Sequence, residues 1–118
     1  MAIKNIEERT FNFSVRIVKL CAFLGQKGGT SYQLSKQLIR SGTSIGANIQ
    51  EAQSGQSKAD FIHKMSIAQK ESRETNYWLK LLIATEEDLH TRLLPLLEES
   101  NELIAIITSI IINTKKKS

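Results

Sequence analysis

The stretch that decides the fold is Ser57–Leu82, SKADFIHKMSIAQKESRETNYWLKLL. Apolar and small residues recur in it at alternating intervals of four and three positions, at Phe61, Met65, Ala68, Ser72, Thr75, Leu79 and Leu82. This spacing places them along one stripe of an α-helix and is typical of left-handed bundle packing. Ser57, with Asp60 three positions later, is a helix N-cap signal. The stretch therefore predicts one long amphipathic helix over about residues 58–84.

Two earlier segments have the same periodicity. The first helix is predicted over about residues 6–24, with the stripe Ile6, Thr10, Phe13, Ile17, Leu20 and Leu24. The second is predicted over about residues 31–54, with the stripe Leu34, Leu38, Ser41, Ile45, Asn48 and Ala52. Thr30 with Gln33 forms a capping-box signal at its start. Both segments are therefore expected to bury one face against neighbouring helices.

The position of the single proline sets the predicted start of the fourth helix. A proline inside a helix costs about 3 kcal/mol or more, whereas in the first turn it costs little. Because Pro95 is the only proline, we place this helix over about residues 94–113, after a short turn near residues 86–92. Four such helices joined by short loops predict the all-α class and an antiparallel up-down-up-down four-helix bundle. We expect one domain over residues 1–118.

The composition is that of an ordinary globular protein. Of 118 residues, 41% are hydrophobic and 24% are charged, which excludes an intrinsically disordered chain. The single cysteine, Cys21, excludes an internal disulfide, and the first ten residues do not have the pattern of a signal peptide. The most apolar run, Leu103–Ile112, is too short to span a bilayer. We therefore expect a cytoplasmic protein with no membrane partner.

Charge is distributed unevenly along the chain, which has a formal net charge of +4. Residues 1–58 contain eight Lys/Arg and three Asp/Glu, whereas residues 59–114 contain five Lys/Arg and nine Asp/Glu. Lys115, Lys116 and Lys117 then form a basic tail. This pattern indicates either head-to-tail self-association or a polyanionic partner. The alternative is that most of these charges lie on solvated helix faces.

The middle of the predicted second helix is rich in small polar residues. Gly42 and Gly46 lie one turn apart, and each glycine destabilises a helix by about 0.5–1 kcal/mol relative to alanine. Close approach of a neighbouring helix is the compensation that we expect, since a phosphate loop would need a Gly-Lys-Ser/Thr ending that is absent. The residues assigned to this close packing, with the polar partners expected on the third helix, are Ser41, Gly42, Ser44, Ile45, Gly46, Asn48, Ser72 and Glu74.

The third and fourth helices carry more apolar residues than their core stripes require. Exposed apolar patches of this kind mark interaction surfaces. The residues predicted to form an oligomer interface are Tyr77, Trp78, Leu81, Ile104, Ile106 and Ile111. The alternative is that these helices are unusually well buried in a compact monomer.

Basic residues on the first two helices are candidates for binding nucleic acid. With the tail, the set is Arg9, Arg16, Lys19, Lys36, Arg40, Lys115, Lys116 and Lys117. Neighbouring first and second helices would join most of them into one basic face, and its affinity for phosphates would depend strongly on salt. The set contains no interleaved aromatic residue on which a base could stack.

Residues 37–82 contain the motifs of a known family. The motifs are Arg40-Ser41, Ser44-Ile45, Asn48-Ile49-Gln50-Glu51-Ala52, Phe61, Ala68, and Ser72 through Glu74 followed by Tyr77-Trp78-Leu79. In these the chain resembles the bacterial four-helix-bundle proteins related to the 23S rRNA intervening-sequence protein. The first and fourth helices match this family in pattern and length only.

The resemblance implies a ring-like homopentamer of four-helix bundles. Some members of the family are encoded inside intervening sequences of 23S rRNA genes. A similar protein is the accessory factor of diversity-generating retroelements, where a basic pentamer binds nucleic acid and a reverse transcriptase. This chain is only mildly basic by comparison. Most members have no assigned biochemical function, so the resemblance implies the fold and the assembly rather than a specific role.

The chain has no recognisable catalytic or metal-binding motif. The two histidines, His63 and His90, lack the paired ligands of a di-iron or zinc site, and Cys21 has no second thiol. We therefore expect neither a cofactor nor a metal, and no enzymatic activity. Three functions remain open: a homo-oligomer that binds structured RNA or DNA, a protein–protein interaction scaffold or accessory factor, and an uncharacterised enzyme with its active site between subunits.

Overall fold

The structure is a computed structural model that describes residues 2–117, with side chains from Asn5 onward. Four helices follow one another: α1 (Ala2–Lys27), α2 (Gly29–Gln53), α3 (Lys58–Thr85) and α4 (His90–Lys116), the last preceded by a short 3₁₀ turn at Glu87–Leu89. Within the described residues there is no β-strand, which confirms the all-α class. None of the described helices is both long and apolar enough to cross a membrane.

Side-chain pairs between neighbouring helices define the topology. Glu51 near the end of α2 pairs with Lys64 near the start of α3, and Asn76 of α3 contacts Ser100 of α4. Arg9, in the first half of α1, pairs with Glu99 of α4, and Lys27, at the end of α1, pairs with Asp88 just before α4 begins, so these two helices run in opposite directions. Each helix is therefore antiparallel to both of its neighbours, and α4 returns to α1 to close a bundle of 49 × 20 × 19 Å.

The core lies along the four inward stripes. The largest fully buried side chains are Ile6, Phe13, Ile17, Leu20, Leu24, Leu38, Ile45, Ile49, Met65, Leu79, Leu82 and Leu93. Thr10, Ser72 and Thr75 are buried at stripe positions too, and each hydroxyl donates to a carbonyl one turn earlier in its own helix. The helix backbone thus satisfies these polar groups without water.

The observed starts of α2 and α3 show which of the predicted capping interactions form. Ser57 caps α3 as predicted, its hydroxyl accepting from the Asp60 amide at 3.1 Å. The capping box predicted at Thr30 does not form, because α2 begins at Gly29, two residues before the predicted start at residue 31, so that Thr30 already lies inside the helix. Gly28 and Gly29 both have positive φ, +74° and +58°. These glycines reverse the chain through backbone angles that other residues rarely adopt, so α1 runs on to Lys27 and the connection needs no side-chain cap.

The fourth helix begins four residues before the predicted start, at His90, and Pro95 lies inside it. The amide that proline lacks would have bonded to the carbonyl of Thr91, in the first turn of the helix. Thr91 and Pro95 are both exposed, so water can satisfy that carbonyl. The cost of an interior proline is thereby reduced, and the apolar residues around it, Leu93 and Leu96, still reach the core.

Candidate interaction surfaces

Arg9, predicted to contact nucleic acid, lies at the interface between α1 and α4. Its Nε and Nη2 donate to the carboxylate of Glu99 at 3.1 and 2.6 Å, and Nη2 also donates to Glu102 at 2.8 Å. The hydrogen bond to Glu99, followed by that to Glu102, raises the pKa of Arg9 above its ordinary value. The charge of Arg9 is therefore compensated within the chain.

Arg40 is bound in the same way at the interface between α2 and α3. Its Nη1 lies 3.2 Å from the buried carboxylate of Glu71, and its Nη2 donates to Glu74. Glu74 also accepts from the indole Nε1 of Trp78 at 3.0 Å. Arg9 and Arg40 thus lie on opposite sides of the bundle, which corrects the prediction that they share one face. Each long side chain turns sideways toward the carboxylates of its neighbouring helix.

Ion pairs of this kind engage most of the acidic residues of the second half. Lys27 at the end of α1 lies 3.3 Å from Glu86 and 3.1 Å from Asp88. Six of the nine acids in residues 59–114 pair with Arg9, Lys27 or Arg40, namely Glu71, Glu74, Glu86, Asp88, Glu99 and Glu102. Most acidic residues of the second half are therefore paired within the chain, with three cations of α1 and α2.

The other predicted nucleic-acid contacts remain exposed. Arg16 and Lys19 lie on the outer side of α1, and Lys36 lies over the ring of Tyr32 on α2, 4.5 Å from its centroid. The tail residues Lys115, Lys116 and Lys117 are exposed at the end of α4. Within residues 5–117 none of these six cations forms a salt bridge.

Sequence reasoning misses a further set of cations, on the outer side of α3. Lys70, Arg73 and Lys80 are exposed there with Tyr77 between them, and they form no salt bridge to any described residue. Their spacing of three, four and three positions is readable in the sequence. Residues 59–114 have a net negative charge, which does not predict a basic surface. The net charge does not show which acidic side chains pair with a neighbouring helix and leave the cations uncompensated.

The residues predicted to form an oligomer interface are exposed to different extents. Tyr77 is 58% exposed, and Trp78, Leu81, Ile104 and Ile106 are half-buried at the edges of the bundle. Ile111 is only 5% exposed, since it packs into the core. Its assignment to an interface is therefore corrected: the inward side of α4 is wide enough to include both Ile110 and Ile111.

The larger exposed apolar surface lies on α1 and α2 and was not expected from the sequence. Phe11, Val15 and Val18 recur at intervals of four and three on the outer side of α1, and Phe11 is 60% exposed. Tyr32 and Ile39 lie seven positions apart on α2 and are exposed as well. We term these five residues the α1–α2 apolar face. At the Phe11 end, Phe11 lines a groove of about 270 Å³ with Ser14, Thr43, Gly46 and Ala47.

The small residues of α2 allow α1 to approach closely beneath this groove. A Cβ at Gly42 would lie 2.9 Å from Cγ2 of Ile17, and one at Gly46 would lie 3.3 Å from the carbonyl oxygen of Thr10. Ser41, on the other flank of α2, shares a hydrogen bond of 2.9 Å with Thr75 Oγ1 rather than with the predicted partners Ser72 and Glu74. Thr75 is the residue directly opposite, whereas Ser72 donates within its own helix and Glu74 binds Arg40.

The remaining members of this small-residue segment have local roles. Ile45 is fully buried in the core. The Asn48 amide donates to the Ser44 carbonyl at 2.9 Å and to the Ser44 hydroxyl at 3.1 Å, one turn earlier in α2. Asn48 and Ser44 therefore satisfy each other without a partner on another helix.

The titratable groups of the core and loops are held in structural contacts. Burial raises the pKa of the Cys21 thiol to about 11, and its Sγ donates to the Ser35 carbonyl at 3.5 Å. A neutral buried thiol is a poor nucleophile. His90 Nε2 lies 2.6 Å from the Ile83 carbonyl, to which it donates. Within residues 5–117, no three His, Cys, Asp or Glu side chains are grouped to hold a metal ion.

Comparison with known proteins confirms the resemblance carried by the central helices. A family model described as 23S rRNA-intervening sequence protein matches residues 4–109. The chain is 46% identical to a solved protein of unknown function from the S23 ribosomal protein family of Bacteroides thetaiotaomicron, with a TM-score of 0.86 over 94% of this chain and 98% of that one. No curated protein matches the chain. Since the family model covers most of its length, this protein belongs to the 23S rRNA-intervening sequence protein family.

Proposed function

We propose that this protein is a non-enzymatic, self-assembling helical bundle whose copies associate through the α1–α2 apolar face. The observation that carries the proposal is the concentration of exposed large apolar side chains there: Phe11, Val15, Val18, Tyr32 and Ile39. Exposed apolar side chains concentrated on one side of a protein are unfavourable in water and are typical of an interface. In the family the chain resembles, the expected assembly is a ring of five.

Charge at the two ends of the face favours a second copy as its occupant. Glu7 and Glu8 lie at the end of the face nearest Phe11, and Lys36 lies at the other end beside Tyr32. Within residues 5–117 none of these three forms a salt bridge. A surface that is acidic at one end and basic at the other can pair with a second copy of itself, which steers association and sets its direction.

The solution mass of the wild-type protein and of a double variant tests this proposal. Light scattering at micromolar concentration is expected to give a multiple of the 13.3 kDa chain mass for the wild type, five-fold for the proposed ring. Phe11→Glu with Val15→Glu is expected to give the monomer mass, because it buries two charges in the interface. Asn12→Glu, which adds one exposed charge on the same helix, is the matched control and keeps the wild-type mass. A monomeric wild type contradicts the proposal.

A further variant distinguishes a ring from a two-fold dimer. A ring uses two different surfaces of each copy, whereas a two-fold contact uses one surface twice. Leu94 and Ile112 on α4 are large apolar side chains that are exposed outside the α1–α2 face. Leu94→Glu is expected to disrupt a ring that uses α4 as its second surface and to leave a two-fold dimer intact. Far-UV circular dichroism checks that each variant keeps its helices.

Nucleic-acid binding is a second candidate function, supported by the cations without a salt bridge on α1, α2 and the tail. Arg16, Lys19 and Lys36 are available to phosphates, whereas Arg9 and Arg40 are bound to carboxylates. Assembly would repeat each cation around the oligomer, which raises the local positive potential. Filter binding of the wild-type protein to ribosomal RNA fragments over a salt series tests this function, and binding that weakens as salt rises is the expected result. A variant that combines Arg16→Glu, Lys19→Glu and Lys36→Glu then tests whether α1 and α2 hold the contact. Assembly without RNA binding at low salt would favour the scaffold function instead.

A further inference from the structure

One outer side of α3 combines three cations and an aromatic ring. Lys70, Arg73, Tyr77 and Lys80 recur at intervals of three, four and three positions, so they lie along one side of the helix over about 15 Å. All four are exposed, and Tyr77 has the largest exposed fraction of the three aromatic residues in residues 61–78. We term this set the α3 basic stripe.

The acidic residues of the same helix are directed away from the stripe. Glu71 and Glu74 turn toward α2, where both bind Arg40. Asp60, in the first turn of α3, accepts the Gln56 amide at 3.2 Å. On α4, Glu98 is exposed but forms no salt bridge with the stripe. The segment that is acidic by residue count therefore presents three uncompensated positive charges on this side.

The ring of Tyr77 is supported by a fixed neighbour. It meets Trp78 edge to face, with centroids 5.2 Å apart and planes at 70°. Trp78 is in turn held by its hydrogen bond to Glu74, which Arg40 fixes from the other side. An exposed ring that contacts a second ring and lies between cations has the features of a stacking platform in single-stranded nucleic-acid sites, where phosphates bind Lys/Arg and a base stacks on the aromatic face.

From this geometry we propose that the α3 basic stripe binds a single-stranded nucleic acid. Lys70, Arg73 and Lys80 bind consecutive phosphates, and one base stacks on Tyr77. The proposal rests on the nucleic-acid binding proposed above for the class of partner, but it assigns the contact to α3 rather than to α1 and α2. It also assigns Tyr77 to a ligand rather than to a subunit interface.

Fluorescence anisotropy with a labelled 12-nucleotide RNA, measured over a salt series, tests the assignment with two matched triple variants. The stripe variant reverses three charges on α3, by Lys70→Glu, Arg73→Glu and Lys80→Glu. The α1 and α2 variant reverses three charges on those helices, by Arg16→Glu, Lys19→Glu and Lys36→Glu. The stripe variant is expected to bind the RNA at least tenfold more weakly than the wild type. The slope of log K against log salt concentration is expected to be shallower by about 2, because three phosphate contacts are lost. The α1 and α2 variant is expected to lose less affinity than the stripe variant. Light scattering checks that it keeps the wild-type mass, since Lys36 also lies at one end of the α1–α2 apolar face.

The aromatic contact has its own variants. Tyr77→Ala is expected to weaken binding by about five- to hundredfold, as for a lost stacking contact, while Tyr77→Phe keeps wild-type affinity. A duplex of the same sequence is expected to bind more weakly than the single strand, because its bases cannot reach Tyr77.

Several results would overturn the inference. They are a stripe variant that binds like the wild type, equal affinity for duplex and single strand, or a Tyr77→Ala variant that loses its oligomeric mass. Loss of binding in the α1 and α2 variant alone would leave the proposed nucleic-acid function intact but place it on the other face. Failure of the assembly proposal is detected separately, because it appears as a monomeric wild type in light scattering.

Discussion

Helix α1 contacts its two neighbours by different means. Toward α2 it packs on glycine, and an added Cβ at Gly42 would come within 2.9 Å of the Ile17 side chain. Toward α4 it is joined by charged groups, with Arg9 bound to Glu99 and Glu102. The α1–α2 interface depends on the missing side chain of glycine. The α1–α4 interface depends on long charged side chains, which can change their rotamers.

This difference predicts how each interface responds to change. A close-packed contact between buried groups has no spare volume, so one added methyl group must displace a neighbour. A partly exposed ion pair can rearrange, and water replaces part of what is lost. We therefore expect the glycine interface to be sensitive to small substitutions and the charged interface to be tolerant of them.

The largest effect is expected from Gly42→Ala. Overpacking against Ile17 costs about 1–3 kcal/mol, while alanine restores about 0.5–1 kcal/mol of helix propensity, so we expect a net loss of about 1 kcal/mol, and at most about 2.5 kcal/mol, in the free energy of unfolding. Urea denaturation followed by circular dichroism measures it. Gly25→Ala is the matched control, since its Cβ would meet only Tyr32 at 3.8 Å. That variant is expected to gain about 0.5–1 kcal/mol.

A double variant shows whether the clash with Ile17 is the cause. Ile17→Ala removes the Cγ1 and Cγ2 atoms that an added Cβ at Gly42 would meet. In that background Gly42→Ala is expected to raise stability by about 0.5–1 kcal/mol, because only the propensity term remains. The same loss in both backgrounds would mean that Ile17 is not the obstacle.

A smaller effect is expected from Arg9→Met at the charged interface. The variant removes hydrogen bonds to Glu99 and Glu102 but keeps much of the apolar stem, so we expect a loss of about 0.5–1.5 kcal/mol in the free energy of unfolding. The loss should shrink at high salt, since the pair is partly exposed. Glu102→Gln, at the more exposed partner, is the control and is expected to cost less than about 0.5 kcal/mol. A loss that is unchanged by salt would contradict an electrostatic interface.

The smallest effect is expected from the Lys27–Asp88 pair, and it depends on pH. Their hydrogen bond raises the pKa of Lys27 above 10.5 and lowers that of Asp88 below 3.8. The contribution of Asp88 is therefore complete above its usual pKa and lost as the pH falls through the lowered value. The contribution of Lys27 is complete below its usual pKa and lost as the pH rises through the raised value.

Asp88→Asn tests this pH dependence. The difference in stability between wild type and variant is expected to be constant between these two limits and to disappear in stronger acid or base. Denaturation at a series of pH values measures the difference. A difference that persists below the lowered pKa of Asp88 would show that the carboxylate charge is not its source.

Local sequence signals predicted the helices better than their ends. The stripes from Ile6 to Leu24 and from Phe61 to Leu82 predicted α1 and α3 because an inward face must recur with the helical period. The starts of α2 and α4 were displaced, at Gly29 and His90. Two positive-φ glycines replaced the capping box, and Pro95 lies near the exposed start of α4, where water can bind the Thr91 carbonyl. Such compensation depends on the surroundings of a residue and cannot be read from its type.

The candidate site residues were harder to predict than the fold. Arg9 and Arg16 lie on the same helix and look equivalent in the sequence, yet one is bound by two carboxylates and the other by none of the described residues. Lys70, Arg73 and Lys80 were passed over because they lie in a segment with more acids than bases. In each case the deciding quantity is the direction of side chains on a neighbouring helix.

The sequence by itself determined that this chain forms four amphipathic helices and that α2 must pack closely against a partner. Both follow from properties internal to one helix, namely its period and its small residues. Only the tertiary structure decided which charges are compensated, which apolar residues stay exposed, and that the acidic half presents a basic surface. Those properties depend on how each helix is rotated and aligned against its neighbours, and hence on distances between residues that lie up to 93 positions apart in the chain.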